Sequence, residues 1–359
     1  MATRSRFAAT GSLVGISALL LAGCGAAPED SSSSDNKNAS DYKGCIVSDE
    51  GGFDDKSFNE NSYAGLKAAE SDYGIKMGEM TSNSAADFQP NVNQMVQQGC
   101  NMIVTVGFAL ADTTKEAAAA NPDVHFAIVD DGSIEADNVR PIIYDTAQAA
   151  FQAGYLAAAQ TKTGKVATYG GAKMPTVTIF TQGFEQGVKY YNEQKKKNVE
   201  VLGTDSFTGD FTDQTKGKTL TENFLDQGAD IVMPVAGPVG AGTLEAVKAY
   251  NGSHSDKPAA VIWVDADGYE TNPDYQNIIL TSVQKKMKEA VESTVKDDID
   301  GKFSSEKYIG TLENDGVGLA PFHSFEDKVS SETKSELDTI KEDIISGKIT
   351  VKTDGTPAK

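Results

Sequence analysis

The side chains of this chain best suited to chemistry are acids, amides, one ammonium and a few rings, and none of them forms a catalytic set. Asp49 closes the run Cys45-Ile46-Val47-Ser48. A carboxylate in that place can accept two hydrogen bonds from the hydroxyl or ring N–H groups of a ligand; a turn or helix-capping aspartate is the plainer alternative. Phe58 and Asn59 open the next helical stretch. The ring can stack on a flat heterocycle, or serve as a core or staple residue, and the amide can read a base edge with its donor and acceptor. Asp265 ends the run Ala260–Val264, and Lys285 follows Ser282. A carboxylate and an ammonium together can hold the hydroxyls of a sugar, one accepting and one donating. Asp267 is a close rival of Asp265. The stretch Gly237–Gly242 joins a strand to a helix, but it is not GxGxxG and no Lys-Ser/Thr pair follows it. It reads as a tight turn that brings backbone near a neutral ligand. His125, His254 and His323 are scattered without metal-ligand spacing. With no nucleophile elbow, no paired catalytic histidine and no cofactor fingerprint, the sequence predicts a binder rather than an enzyme, with no cofactor and no metal.

These residues need a frame that brings them together. Short β-branched runs alternate with amphipathic helices: strands at Cys45–Ser48, Ile75–Met80, Met102–Val106, Phe126–Val129 and Ile142–Tyr144, with helices from about Ser57 to Tyr73, around Phe88–Val96 and at Ala109–Ala120. The pattern then restarts, with strands at Lys165–Tyr169, Val199–Thr204, Ile231–Val235, Ala260–Val264 and Ile278–Val283. Helices intervene at about Ala147–Gln160, Val177–Glu193, Lys216–Asp226, Ala241–Tyr250 and Lys285–Ile299. Short strands near Lys307 and Gly316 and a helix at about Ser331–Ser346 complete it. Near-continuous apolar strands between helices indicate parallel sheets covered on both faces. The fold class is α/β: two doubly wound parallel-sheet lobes with a ligand cleft, like a type I periplasmic binding protein. Ligands of such sheets sit at the carboxyl ends of strands. There lie Asp49, Gly107-Phe108, Asp130-Asp131, Gly170-Gly171, Gly237 and Asp265.

The chain divides further. Arg4 and Arg6 precede an apolar stretch from Phe7 to Ala22, shorter than the ~20 residues of a spanning helix, and therefore a signal peptide over 1–23. Leu21-Ala22-Gly23-Cys24 resembles a bacterial lipobox, which makes Cys24 a lipidation site and the membrane a partner through that anchor. Residues 24–43 have almost nothing to bury and read as a lipidated cysteine and disordered tether. The first lobe is assigned to 44–145 plus about 266–305, and the second to 146–265 plus about 306–350. Cleavage removes two arginines and no acid, so the net charge moves from −20 to −22. An acidic surface of that size argues against nucleic acid and disfavours strongly anionic ligands. In an extracytoplasmic setting Cys45 and Cys100, near the amino ends of neighbouring parallel strands ~4.8 Å apart, are expected to form a disulfide.

The segment Asp49-Glu50-Gly51-Gly52-Phe53-Asp54-Asp55-Lys56-Ser57-Phe58-Asn59 resembles the signature of the basic membrane protein family, lipoproteins that serve nucleoside ABC importers. Ala153-Gly154-Tyr155-Leu156-Ala157-Ala158, Gly183-Phe184, Gly228-Ala229-Asp230, Val235-Ala236-Gly237, Val264-Asp265, Thr281-Ser282-Val283-Gln284-Lys285 and Val317-Gly318-Leu319-Ala320 follow in the family's order, so the likeness covers most of residues 44–325. The resemblance implies an extracytoplasmic solute-binding lipoprotein on the cell membrane that captures a nucleoside, purine above all, and delivers it to ABC permease and ATPase subunits. The ligand-binding set it implies is Asp49, Phe58, Asn59, Asp130, Phe211, Gly237, Asp265 and Lys285. Phe211 is chosen over Phe207 because Asp213 follows it at the family's spacing; Asp54 and Asp55 are read as holding their loop, and Ser57 as capping the helix. Two rival functions share this fold: a ligand-sensing lipoprotein that signals to a membrane receptor, and a sugar-binding protein.

Overall fold

The computed structural model describes residues 39–358. The expected signal peptide, Cys24 and most of the expected tether lie outside the described residues. The last residues assigned to the tether are ordered: Ala39–Asp41 make a helical turn, the Tyr42 hydroxyl donates to Asp298, and Lys43 opens the first strand.

Among the described residues, twelve strands build two six-stranded sheets. In chain order they are β1 (Lys43–Val47), β2 (Lys76–Met80), β3 (Met102–Val106), β4 (His125–Val129), β5 (Val139–Tyr144), β6 (Lys165–Gly170), β7 (Glu200–Leu202), β8 (Ile231–Val235), β9 (Ala260–Asp265), β10 (Ile279–Lys285), β11 (Tyr308–Gly310) and β12 (Val317–Leu319). The first sheet runs β11-β5-β4-β3-β1-β2 and the second β12-β10-β9-β8-β6-β7, with β12 alone antiparallel. Every residue of β3, β8 and β9 is buried. Helices cover both faces of each sheet, which is why these strands are apolar throughout rather than alternating. The two-lobed α/β fold expected from the sequence is the one observed.

The chain crosses between the sheets three times: after β5, after β10 and between β11 and β12. The lobe boundaries therefore differ from the sequence reading, which grouped 266–305 with the first lobe and 306–350 with the second. β10 bonds to β9 and β12 in the second sheet, and β11 pairs with β5 in the first. Of the 266–305 segment, the helix Met287–Ile299 is the part that packs on the first sheet's helix Phe58–Tyr73. An apolar run records that it is a strand but not which edge it joins, so its sheet is fixed only by tertiary pairing.

Cys45 and Cys100 form a disulfide with Cα atoms 5.9 Å apart. Cys45 lies inside β1, opposite Ile103 of the neighbouring β3, while Cys100 precedes β3 in the turn after the helix Phe88–Gln97. The bridge closes a long loop, ties β1 to the chain entering β3, and lies in the core with Phe88, Val92 and Met95.

Candidate functional site

All eight residues singled out from the sequence line one cleft, of about 280 Å³, between the carboxyl ends of the two sheets. β1, β4, β9 and β10 present Asp49, Asp130, Asp265 and Lys285; Phe58 and Asn59 begin the helix after β1; Gly237 follows β8; and Phe211 comes from the loop after β7. Lys285 was read as starting a helix. It is instead the last residue of β10, and strand pairing fixes its direction.

Asp49 is held by its neighbours. Its Oδ1 accepts from Asn59 Nδ2 at 2.7 Å and from the Gly51 N–H at 3.1 Å. Gly107 lies against the other carboxylate oxygen: a Cβ there would stand 2.7 Å from Asp49 Oδ2, and its φ of +108° suits glycine. Asn59 Nδ2 also donates to Asp55 Oδ2 at 3.1 Å, and Asn59 Oδ1 accepts from the Asp49 N–H at 3.3 Å. Both amide hydrogens of Asn59 are thus committed within the protein, so its geometry orients Asp49 more than it offers a free edge. Asp55, not Ser57, caps the helix: its carboxylate accepts from the backbone N–H groups of Ser57, Asn59 and Glu60 at 2.8–3.0 Å. The buried Ser57 hydroxyl donates instead to Asp265 Oδ2 at 2.9 Å. Burial raises the pKa of Asp49, against the opposing pull of Asn59 and Gly51, and pushes Asp55 up to about 6 despite the N–H groups it accepts.

Asp130 and Asp265 hold equivalent places at the ends of β4 and β9, and both adopt left-handed backbone, with φ of 65° and 69°. Aspartate tolerates that region better than most residues, though such conformations still cost roughly 1–3 kcal/mol and concentrate at functional sites. Between them lies Lys285, 4 % exposed, with Nζ 2.5 Å from Asp130 Oδ2 and 3.5 Å from Asp265 Oδ1. Burial alone would lower the pKa of this ammonium; the two carboxylates outweigh it and hold the lysine charged. Its Nζ also lies 5.1 Å from the Phe58 ring centroid and 5.2 Å from that of Phe180.

Phe211 rests on Gly171: a Cβ at Gly171 would meet its ring at 2.4 Å. Phe207 packs on Gly170 instead and does not line the cleft. Asp267 is likewise placed elsewhere, capping the short helix Gly268–Thr271 and facing His323 at 2.9 Å. Gly237 has φ +50° and no side chain within reach of a Cβ, so its backbone stands open to the cleft. The sequence reading did not assign Phe108 or Phe180 to the site. Phe108 is the large apolar side chain left exposed among the described residues, at 38 %. Its position directly after β3 was the available signal. Phe180 lies inside the helix Pro175–Lys195, where its spacing looks like core. No group of three or more His, Cys, Asp or Glu suited to a metal ion occurs among the described residues.

Residues 43–354 match the family described as Bmp, ABC transporter substrate-binding protein PnrA-like. The chain is 33% identical to the ABC transporter nucleoside-binding protein BmpA of Lactococcus lactis subsp. cremoris, over 97% of this chain and 99% of that one. It is 30% identical to a CD4+ T-cell-stimulating antigen of Listeria innocua, over 96% and 98%. Among solved structures, an ABC transporter system solute-binding protein from Aeropyrum pernix K1 superposes with a TM-score of 0.79 at 26% identity, covering 87% of this chain and 94% of that one.

Proposed function

The chain belongs to the Bmp family of ABC transporter substrate-binding proteins, and from that premise we propose that it captures a purine nucleoside outside the cytoplasm and delivers it to an ABC importer. The observation that carries this reading is the make-up of the cleft, where aromatic rings stand beside a buried charged cluster. Phe58, Phe108 and Phe211 bring rings to it, while Asp130, Lys285 and Asp265 make a buried charged cluster. A nucleoside has the matching two ends, a flat base and a hydroxylated sugar. The name of the Lactococcus lactis relative points to the same ligand class. Asp49 is the acceptor for a ring or exocyclic N–H, with Asn59 positioning it, and Asp265 with Lys285 holds the ribose hydroxyls.

Calorimetric titration with adenosine, guanosine, their free bases and ribose tests the reading. Nucleosides should bind tightly and bases weakly. Asp265→Ala should cost affinity for nucleosides while leaving the free bases almost unchanged. Tight ribose binding without heat from any nucleoside would overturn it in favour of a sugar binder. We read residues 1–23 as a leader and Cys24 as the lipid anchor; Cys24→Ser should move the protein from the membrane fraction to the medium or periplasm, and retention in the membrane would refute the anchor.

A further inference from the structure

Asp265 ends a strand of the second sheet, yet its carboxylate is held from the first. The wholly buried Ser57 hydroxyl, which precedes the helix Phe58–Tyr73, has its nearer acceptor in Asp265 Oδ2 at 2.9 Å and lies 3.3 Å from the Val264 carbonyl. One turn into that helix, Asn61 Nδ2 donates to the carbonyls of Asp265 at 3.2 Å and Lys285 at 2.9 Å. Asp265 and Lys285 close the neighbouring strands β9 and β10. The two hydrogens of one amide therefore span the strand ends that carry the carboxylate and the ammonium. Before the helix, the Lys56 carbonyl accepts from the Trp263 indole at 3.1 Å and the Thr271 hydroxyl at 3.0 Å, so the grip on β9 extends along residues 56–61.

The grip answers a local need. Asp265 has left-handed backbone, and Asn61 bonds to the carbonyl of that same residue. A non-glycine residue persists in that region where its surroundings hold it there. The carboxylate also keeps capacity for a ligand. Each oxygen can accept two hydrogen bonds; Oδ2 accepts from Ser57, and Oδ1 faces Lys285 Nζ at 3.5 Å. Each can accept one more, which is the pair that a vicinal diol donates. Asp265 and Lys285 line the cleft, whereas Ser57 and Asn61 are not among its lining residues and act through them. Resting on the nucleoside reading above, we infer that Ser57 and Asn61 are positioning residues for the sugar. They hold the Asp265 carboxylate, and its spacing from Lys285, in the geometry that a ribose diol requires. They thereby set how strongly the protein prefers a nucleoside to its free base or to a sugar without the diol. The segment that brings Phe58 to the cleft and fixes Asp49 through Asn59 also sets the groups that meet the sugar, although those belong to the other sheet.

The test is calorimetric titration of the full mature chain, its Ser57→Ala, Asn61→Ala and Asp265→Ala variants, and the variant that combines Ser57→Ala with Asp265→Ala. The ligands are adenosine, 2′,3′-dideoxyadenosine, adenine and ribose. Ser57→Ala and Asn61→Ala should each weaken adenosine about tenfold, a difference of about 1.4 kcal/mol, and leave dideoxyadenosine and adenine within about twofold of the unaltered protein. Added to Asp265→Ala, Ser57→Ala should weaken adenosine by less than about twofold more, because the residue it acts through is already gone. Equal losses for adenosine and dideoxyadenosine would make both residues supports of the fold alone and overturn the inference, as would additive losses in the combined variant. Adenosine affinity unchanged in both single variants would overturn it while the nucleoside reading stands. If ribose alone binds and Ser57→Ala still weakens it about tenfold, the positioning role stands and the nucleoside reading falls. Silence from all four compounds overturns both.

Discussion

On the first-sheet side of the cleft, Asp49 is fixed by Asn59 and Gly51, Asn59 by Asp55, and Asp55 by three backbone N–H groups at the start of a helix. On the second-sheet side, Phe211 stands on a bare glycine in a loop bonded to the end of β6, where the Thr208 and Gly209 N–H groups donate to the carbonyls of Gly170 and Gly171, and braced by an ion pair between Asp210 and Lys216. The polar reader is set by a chain of side-chain hydrogen bonds, and the aromatic ring by backbone bonds to the sheet and by packing on glycine. That division suits a binder that must both recognise and enclose. Hydrogen-bond geometry is lost within tenths of an ångström, whereas stacking tolerates offsets between rings. Lys285 belongs to neither side alone: it ends a strand of the second sheet and pairs with an aspartate of the first.

The largest effect should come from that shared residue. Lys285→Met removes the cation from between two buried carboxylates, and breaking a buried pair in this way typically costs about 3–5 kcal/mol. Denaturant unfolding should show the loss, and titration should show nucleoside binding abolished. Adding Asp130→Asn to that variant should recover part of the stability, because one orphaned charge is removed; no recovery would mean that the cluster is not the source of the loss. The disulfide should rank next. Replacing Cys45 and Cys100 by alanine frees a loop of sequence separation 55, worth about 4 kcal/mol as an upper figure in the chain-entropy account. Because the bridge lies in the first-sheet core away from the cleft, the thermal midpoint should fall by several degrees with affinity within about twofold of the parent, a gap of roughly 0.4 kcal/mol. A large loss of affinity would show that the first-sheet side of the cleft depends on the bridge for its geometry. The smallest and most selective effect should be that of Phe211→Ala. Stacking is worth about 1–3 kcal/mol per base, so affinity should drop about 5- to 150-fold while stability changes less than in the other two variants. An unchanged affinity would remove Phe211 from the stacking role.

Much of this was legible from the chain. The alternation of apolar strands and helices named the fold, because it follows from local pattern, and the residues at strand ends together with the family resemblance named a set that lines one cleft. What escaped the reading depends on contacts distant in sequence. The destination of β10 and β11 is set by edge pairing. Ser57 looks like a helix cap from its neighbours, yet its hydroxyl is drawn to Asp265, some two hundred residues away, and Asp55 takes the cap instead. Phe207 and Phe211 differ only in which glycine each ring covers.

The interleaving of the two sheets bears on how the protein reaches its native state. The first sheet needs β11 at one edge and the helix Met287–Ile299 on one face, and the second needs β10 and β12. Neither lobe can be completed until nearly the whole chain is present, and the pairings that complete them join residues far apart. Such high contact order makes folding slow. If the chain is exported as an extended thread, as proposed above, it benefits from that delay, because it does not close into a finished domain while its later segments are still on the other side.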